Sequence, residues 1–338
     1  MTKMYKLMFT SMLIMSTLIS ISAYTWLGMW IGLEINLLSL IPIIQSKSIL
    51  SSESSIKYFI TQAIASTIIM MSMIMMMWKF NFSSIINMKS NLLMIMNLGL
   101  ILKMGMAPLH FWFPEVLEGL NWNNCLIMLT WQKITPMMLI MLNIEFSIFY
   151  SMIIISAMII SGIMSINQIS IRKLMAFSSI NHMGWMMSSM MTEKTIWILY
   201  FVVYSIITIN ITMMMKNIFY LNQLFTTLNV SFSMKMFFML NFLSLSGIPP
   251  FLGFMPKWMV IQTMIENNMF FLTIIMIMFT LIMIYVYIRI IMTTLLMKTN
   301  QVNWNMKLNM KINKMPISLL NFLSMMSLIL VTIMLNMM

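Results

Sequence analysis

LGLILKMGMAPLHFWFPEVLEGL, residues Leu98 to Leu120, sets a lysine inside a strongly apolar helical run and then interrupts the run with proline. The next charge along the chain after Lys103 is Glu115, and Pro108 removes a backbone donor between them. Lipid can satisfy neither an ammonium nor the carbonyls that a helix break frees. In a bilayer such a segment therefore faces a protein-lined or water-filled interior. The rest of the sequence supplies candidate partners for that lysine.

The composition agrees with a bilayer. Of 338 residues 61% are hydrophobic and 8% charged, and the apolar runs repeatedly reach the roughly 20 residues that a helix needs to cross the hydrocarbon core. The chain reads as an all-α polytopic membrane protein. No charged leader with a small-residue cleavage site opens it, so no removed signal or transit peptide is expected. The single cysteine, Cys125, excludes a disulfide framework. No Cys/His cluster offers a zinc, haem or iron–sulfur site, and no Gly-rich motif offers a dinucleotide site. A net charge of +12 would suggest nucleic acid in a soluble chain, but here the basic residues stand singly between apolar runs and form no stripe. With 53 methionines, two arginines and no aspartate, residue usage fits an A/T-rich genome read with the mitochondrial code.

Hydropathy predicts about eleven spans, near 5–22, 26–45, 56–78, 91–119 (broken), 125–142, 148–166, 173–191, 196–215, 236–262 (broken), 269–290 and 317–337. With the N-terminus inside, thirteen Lys and Arg residues fall on inside segments and three on outside loops. That bias places the N-terminus inside, which for an organelle-encoded chain is the matrix. The second broken span, LSLSGIPPFLGFMPKW from Leu243 to Trp258, follows the first by five crossings. Two five-helix units, 1–142 and 148–297, then form an inverted repeat with a final helix at 317–337. Paired interrupted helices at matching positions of two halves are a pointer to a transport site.

Six residues carry the candidate chemistry. Glu34 lies near mid-membrane in its span, and Lys103 is the cation available to pair with it. Burial disfavours a charged ammonium and a nearby carboxylate restores it, so making and breaking such a pair loads and releases a proton. Lys133 sits mid-span three residues before Pro136, too deep to snorkel easily. Lys257 follows Gly247, Pro249, Pro250, Gly253 and Pro256, where an opened backbone offers carbonyls and room for water. His110 follows the first break and His182 is central in the seventh span; histidine suits a proton relay, although a lone buried histidine is as often structural. Glu53, Glu115, Glu118, Glu145, Glu193 and Glu266 read as solvated loop charges. Trp26, Trp30, Trp78, Trp122 and Trp258 read as interfacial anchors.

The segments WLGMWIGLEINLLSLIP, LKMGMAPLHFWFPEVLEG, TWQKITPM, SSINHMGWMM and LSLSGIPPFLGFMPKW resemble the mitochondrially encoded subunit 2 family of NADH:ubiquinone oxidoreductase, respiratory complex I, in its insect-like form. The resemblance runs from about Trp26 to Trp258. It implies an antiporter-like membrane-arm subunit of two inverted five-helix units, without three N-terminal helices of its larger relatives, in the mitochondrial inner membrane. Glu34 and Lys103 become the coupling pair, Lys133 the central lysine and Lys257 the lysine of the second broken helix; His110 falls in the relay region and His182 in the HMGW motif. The chain departs from a complete second half-channel, because the span matching that of Glu34 has no acidic residue.

The resemblance also implies partners. FMN, iron–sulfur clusters, NADH and ubiquinone are expected in partner subunits, with no cofactor in this chain; other membrane-arm subunits and membrane lipids, cardiolipin among them, are the expected neighbours, and nucleic acid is not. The leading expectation is proton translocation, with a proton held on Lys103 and passed toward Lys133 and Lys257. An independent cation/proton antiporter is the alternative, and a purely structural scaffold is a third reading that the insertion cost of three intramembrane lysines argues against.

Overall fold

The computed structural model describes residues 2–46, 48–79, 86–144, 147–215, 218–223, 232–249 and 251–296. The final span expected at 317–337 lies outside the described residues. Among them run thirteen helices: α1 Thr2–Ser22, α2 Trp26–Ile44, α3 Ile49–Lys79, α4 Ile86–Met104, α5 Trp112–Gly119, α6 Trp122–Leu129, α7 Trp131–Met141, α8 Ser147–Ser165, α9 Ile171–Thr192, α10 Lys194–Met214, α11 Phe232–Ser246, α12 Phe254–Glu266 and α13 Phe270–Leu296. Six stretches are long and apolar enough to cross a membrane, in α1, α2, α3, α8, α10 and α13. The chain is a multi-pass helical membrane protein. Its many serines and threonines are accommodated because their hydroxyls bond back to the preceding turn, as Ser16 does to the Leu13 carbonyl at 2.8 Å and Ser72 to that of Ile69 at 2.7 Å.

The chain divides into two compact units, Met1–Ala157 and Met158–Met338. In the first, α2 packs between α1 and α3, α3 also meets α4 and α5, and α7 packs against α1, α4 and α6. Gly32 brings α2 onto the backbone of α1, since a Cβ there would lie 2.8 Å from the Ser20 nitrogen. In the second unit α10, α12 and α13 pack against α9, while α11 packs against α10 and α13.

Both expected helix breaks are present, and they share one geometry. At the end of α4, Gly105 (φ 69°) sends its N–H to the Leu102 carbonyl at 3.1 Å, and Met106 sends its own to Ile101 at 3.2 Å. At the end of α11, Gly247 (φ 76°) donates to Ser244 at 3.1 Å and Ile248 to Leu243 at 3.4 Å. Each is a Schellman-type stop, which requires a residue that tolerates positive φ. Aligned on the two glycines, the segments share the pattern G-x-x-P-x5-P, from Gly105 to Pro114 and from Gly247 to Pro256. The next position is Glu115 in one and Lys257 in the other.

A third break was not anticipated. The expected 125–142 span begins earlier, at Trp122, and is interrupted at Thr130 (φ −115°, ψ −70°) between α6 and α7. Trp122, expected as an interfacial anchor, is buried inside the protein.

Gly105→Ala and Gly247→Ala should each destabilise the protein by about 1–2 kcal/mol through the left-handed backbone alone. At Gly105 the new Cβ would also sit 2.8 Å from the Phe113 Cβ. Gly162→Ala, in mid-helix with its nearest neighbour at 3.5 Å, should be neutral or stabilising by up to about 1 kcal/mol. Thermal unfolding of the three variants in one detergent checks the order.

Candidate functional site

The first break leaves α4 carbonyls without helical donors, and side chains from elsewhere supply them. The Trp112 indole N–H donates to the Leu102 carbonyl at 3.1 Å, and the Gln62 amide on α3 donates to the Lys103 carbonyl at 3.2 Å. Beyond the helix end, the Ser156 hydroxyl lies 3.3 Å from the Ala107 carbonyl, while the closer acceptor for its proton is the Ile153 carbonyl at 2.8 Å. With the backbone held by these groups, the Lys103 side chain is buried in the last turn of α4. Cation placement at a helix C-terminus is electrostatically favourable.

Lys103 and Lys133 line one small cavity, together with Tyr58, Met104, Trp112, Phe113, Met128 and Gln132. The cavity measures about 10 Å³, the lower limit for a single water position. Lys133 is 1% exposed, so it does not snorkel, and its ammonium lies 5.8 Å from the centre of the Phe113 ring. Pro136 interrupts the hydrogen-bond ladder of α7 one turn further on.

Glu34, on α2, is half-buried, and its Oε1 is fully enclosed without a hydrogen-bond partner. It lies within Coulombic range of both Lys103 and Tyr58. The ion pairs found among the described residues do not include Glu34 with Lys103, so the pair stands separated in this structure. Its helix is held against both neighbours of the cavity: the Trp30 indole donates to the Ser66 carbonyl on α3 at 3.2 Å, and the Gln132 amide on α7 donates to Asn36 at 3.0 Å.

In the second unit Lys257 is buried and donates to the Ser246 carbonyl at 2.7 Å. The cation thus caps the helix end that the Gly247 break creates. Gly247 makes room for it, since a Cβ would lie 3.0 Å from the Lys257 Nζ. His182, on α9, is buried with Nδ1 2.9 Å from the Tyr200 hydroxyl and its ring 5.1 Å from that of Tyr204. Tyr204 is hydrogen-bonded to Ser179 and Tyr287 to Ser178. His110 is buried beside the first break, with Nδ1 3.3 Å from the Pro108 carbonyl. It does not line the lysine cavity.

Several residues around these sites carried no sequence signal that was used. Tyr58 and Gln62 are one helical turn apart on α3 and face Lys103; Tyr200 and Tyr204 repeat the same spacing beside His182. A polar or hydroxyl-bearing pair at i,i+4 in an apolar run is a signal that could have found both. Of the acids read as loop charges, Glu53 lies in α3, Glu115 and Glu118 lie in α5, Glu266 ends α12, and Glu145 lies outside the described residues. Lys57 bridges Glu53 to Glu115, with both contacts at 2.9 Å. The opposite charges meet because α3 and α5 pack together.

A sequence model described as NADH:quinone oxidoreductase/Mrp antiporter, TM, matches residues 23–284. NADH-ubiquinone oxidoreductase chain 2 of Anopheles gambiae is 45% identical over 337 residues, spanning 98% of each chain. The chain belongs to the NADH-ubiquinone oxidoreductase chain 2 family. The chain 2 protein of Aedes aegypti is 47% identical over 338 residues, again spanning 98% of each. A chain in the structure of respiratory complex I from Thermus thermophilus with bound aureothin superposes with a TM-score of 0.80 at 19% identity, covering 86% of this chain and 70% of that one. That likeness shows the antiporter-like fold. The chain 2 resemblance carried by the sequence motifs is therefore shown.

Gln62→Leu should leave the Lys103 carbonyl buried without its donor, at a cost of about 1–3 kcal/mol. Lys57→Met, which removes exposed ion pairs only, should leave the unfolding temperature unchanged. Parallel thermal unfolding of the two variants is the measurement.

Proposed function

We propose that the chain is a proton-translocating membrane-arm subunit of NADH:ubiquinone oxidoreductase in the mitochondrial inner membrane, with its N-terminus in the matrix. Electron transfer, with its FMN, iron–sulfur, NADH and ubiquinone sites, belongs to partner subunits. The observation that carries this reading is two buried lysines, Lys103 and Lys133, lining one water-sized cavity, with Lys103 within Coulombic range of Glu34, whose Oε1 is enclosed.

Two ammonium groups beside so small a cavity repel each other, so the doubly protonated arrangement is the least favourable of the charged ones. The lysines then share one mobile proton as a coupled site. Glu34 decides which lysine holds it. An ion pair closed to about 4 Å at an effective dielectric of about 20 is worth about 4 kcal/mol, which favours the proton on Lys103. Opening the pair removes that preference and releases the proton through the cavity toward Lys133. Tyr58 and Gln132 supply hydrogen-bonding groups in the cavity wall. Lys257 is the carrier in the second unit, and His110 and His182 are relay groups. The two segments patterned G-x-x-P-x5-P support two related units of inverted repeat, as hydropathy predicts.

The competing reading, an independent cation/proton antiporter, draws on the Mrp half of the family description. It predicts cation flux in liposomes that hold this chain alone. On a native gel of mildly solubilised membranes, the complex I reading predicts that the chain co-migrates with NADH dehydrogenase activity in a very large particle.

Lys103→Met and Lys133→Met should each reduce coupled proton pumping at least about tenfold while the particle still assembles. Glu34→Gln should reduce it less, because the lysine pair survives. Full coupled turnover in Lys103→Met would remove that residue from the path.

A further inference from the structure

Two side-chain hydrogen bonds tie the helix of Glu34 to the broken span that carries Lys133. The Asn124 amide on α6 donates to the Ile43 carbonyl at 3.1 Å, and the Gln132 Nε2 on α7 donates to the Asn36 Oδ1 at 3.0 Å. The segments run antiparallel through these bonds, with seven residues from Asn36 to Ile43 on α2 against eight from Asn124 to Gln132. The break at Thr130 falls between the two bonds. Close packing does not by itself set α2 against α7, since α2 packs on α1 and α3 and α7 on α1, α4 and α6.

Asn36 and Ile43 lie two turns apart on one face of α2. Trp30 and Glu34, one turn apart, lie on another, and the Trp30 indole is bonded to the Ser66 carbonyl on α3 at 3.2 Å. Bonds on both faces fix the rotation of α2 about its axis, and with it the direction in which Glu34 points. Gln132 touches both parts of the lysine site: it lines the cavity beside Lys103 and Lys133, and its amide ends on Asn36, two residues from Glu34. Asn36 is 3% exposed, so its acceptor is costly to leave without that donor. Hydrogen bonds weaken steeply away from their preferred geometry, so this one defines a spacing between the helix of the carboxylate and the helix of Lys133.

We propose that Gln132 is a positioning residue of the lysine site: through Asn36 it holds α2 in the rotation and register that keep Glu34 within range of Lys103, while its own helix carries Lys133. The proposal rests on the proton-translocation reading above.

The test uses the assembled complex that contains this chain, in sealed native membranes, with protons pumped per NADH oxidised as the readout and a native gel as the check on assembly. Gln132→Asn keeps an amide beside the cavity but withdraws it by one methylene from Asn36. It should lower the ratio about fivefold, the factor that corresponds to one net hydrogen bond. Adding Asn36→Gln returns the methylene from the other side, and the double variant should regain the ratio of the unaltered protein. A role confined to the cavity wall or to packing predicts no such rescue. Should Gln132→Asn fail to assemble, Asn36→Ser breaks the same bond from α2 and should show the same loss. An undiminished ratio in Gln132→Asn or Asn36→Ser, or a double variant no better than Gln132→Asn, overturns the proposal. Lys103→Met in the same membranes reports on the proton path itself. Loss of pumping there beside an undiminished Gln132→Asn overturns the positioning role alone, whereas full pumping in Lys103→Met overturns both.

Discussion

A helix that breaks inside a bilayer must find donors for the carbonyls it frees, and both broken spans of this chain are built around that demand. The backbone provides the first part of each solution in the same way, through a positive-φ glycine and two turn hydrogen bonds. The remaining donors differ. The first unit recruits an indole and an amide from Trp112 and Gln62, whereas the second uses the ammonium of Lys257 on Ser246. The neutral donors of the first break leave the Lys103 side chain free to face the cavity. The second break keeps its cap in either protonation state, because a neutral amine retains two N–H groups.

The same division explains where the charges sit. A cation in the middle of a span costs about 2.5–3.5 kcal/mol on insertion scales, so each buried lysine needs compensation nearby. Lys133 has the face of the Phe113 ring and Lys103 the negative end of α4 with Glu34 in range. For Lys103 that compensation is not a closed ion pair with Glu34. The carboxylate oxygen of Glu34 that lacks a hydrogen-bond partner is consistent with a group held short of its final contact.

Much of this was readable from residue types alone. Pro108 and the Gly247–Pro256 stretch announced interrupted spans, and isolated lysines in apolar runs announced an interior. The break at Thr130 was not readable, since no proline or glycine marks it. The caps from Gln62 and Trp112 were hidden because they depend on which face of α3 meets α4 and how α5 folds back, and neither follows from hydropathy. Trp122 misled for a related reason: an indole near a span end packs inward as readily as it anchors at an interface, and here it is buried.

α9 shows where a hydropathy reading is least informative. Its mean composition is too polar to stand among the clearly apolar stretches, yet Leu174 to Met190 is buried without interruption. Ser178 and Ser179 bond back to Met175 and Ala176 at 2.7 Å, and Asn181 reaches Ser161 at 3.4 Å. His182 meets Tyr200. Lipid would reject such a surface, so the apolar helices that surround it are what make it possible. The polarity that lowers a span's hydropathy is here the mark of its interior position. In a protein whose chemistry needs groups that hold and pass protons, the least apolar helix is the one best placed to carry them.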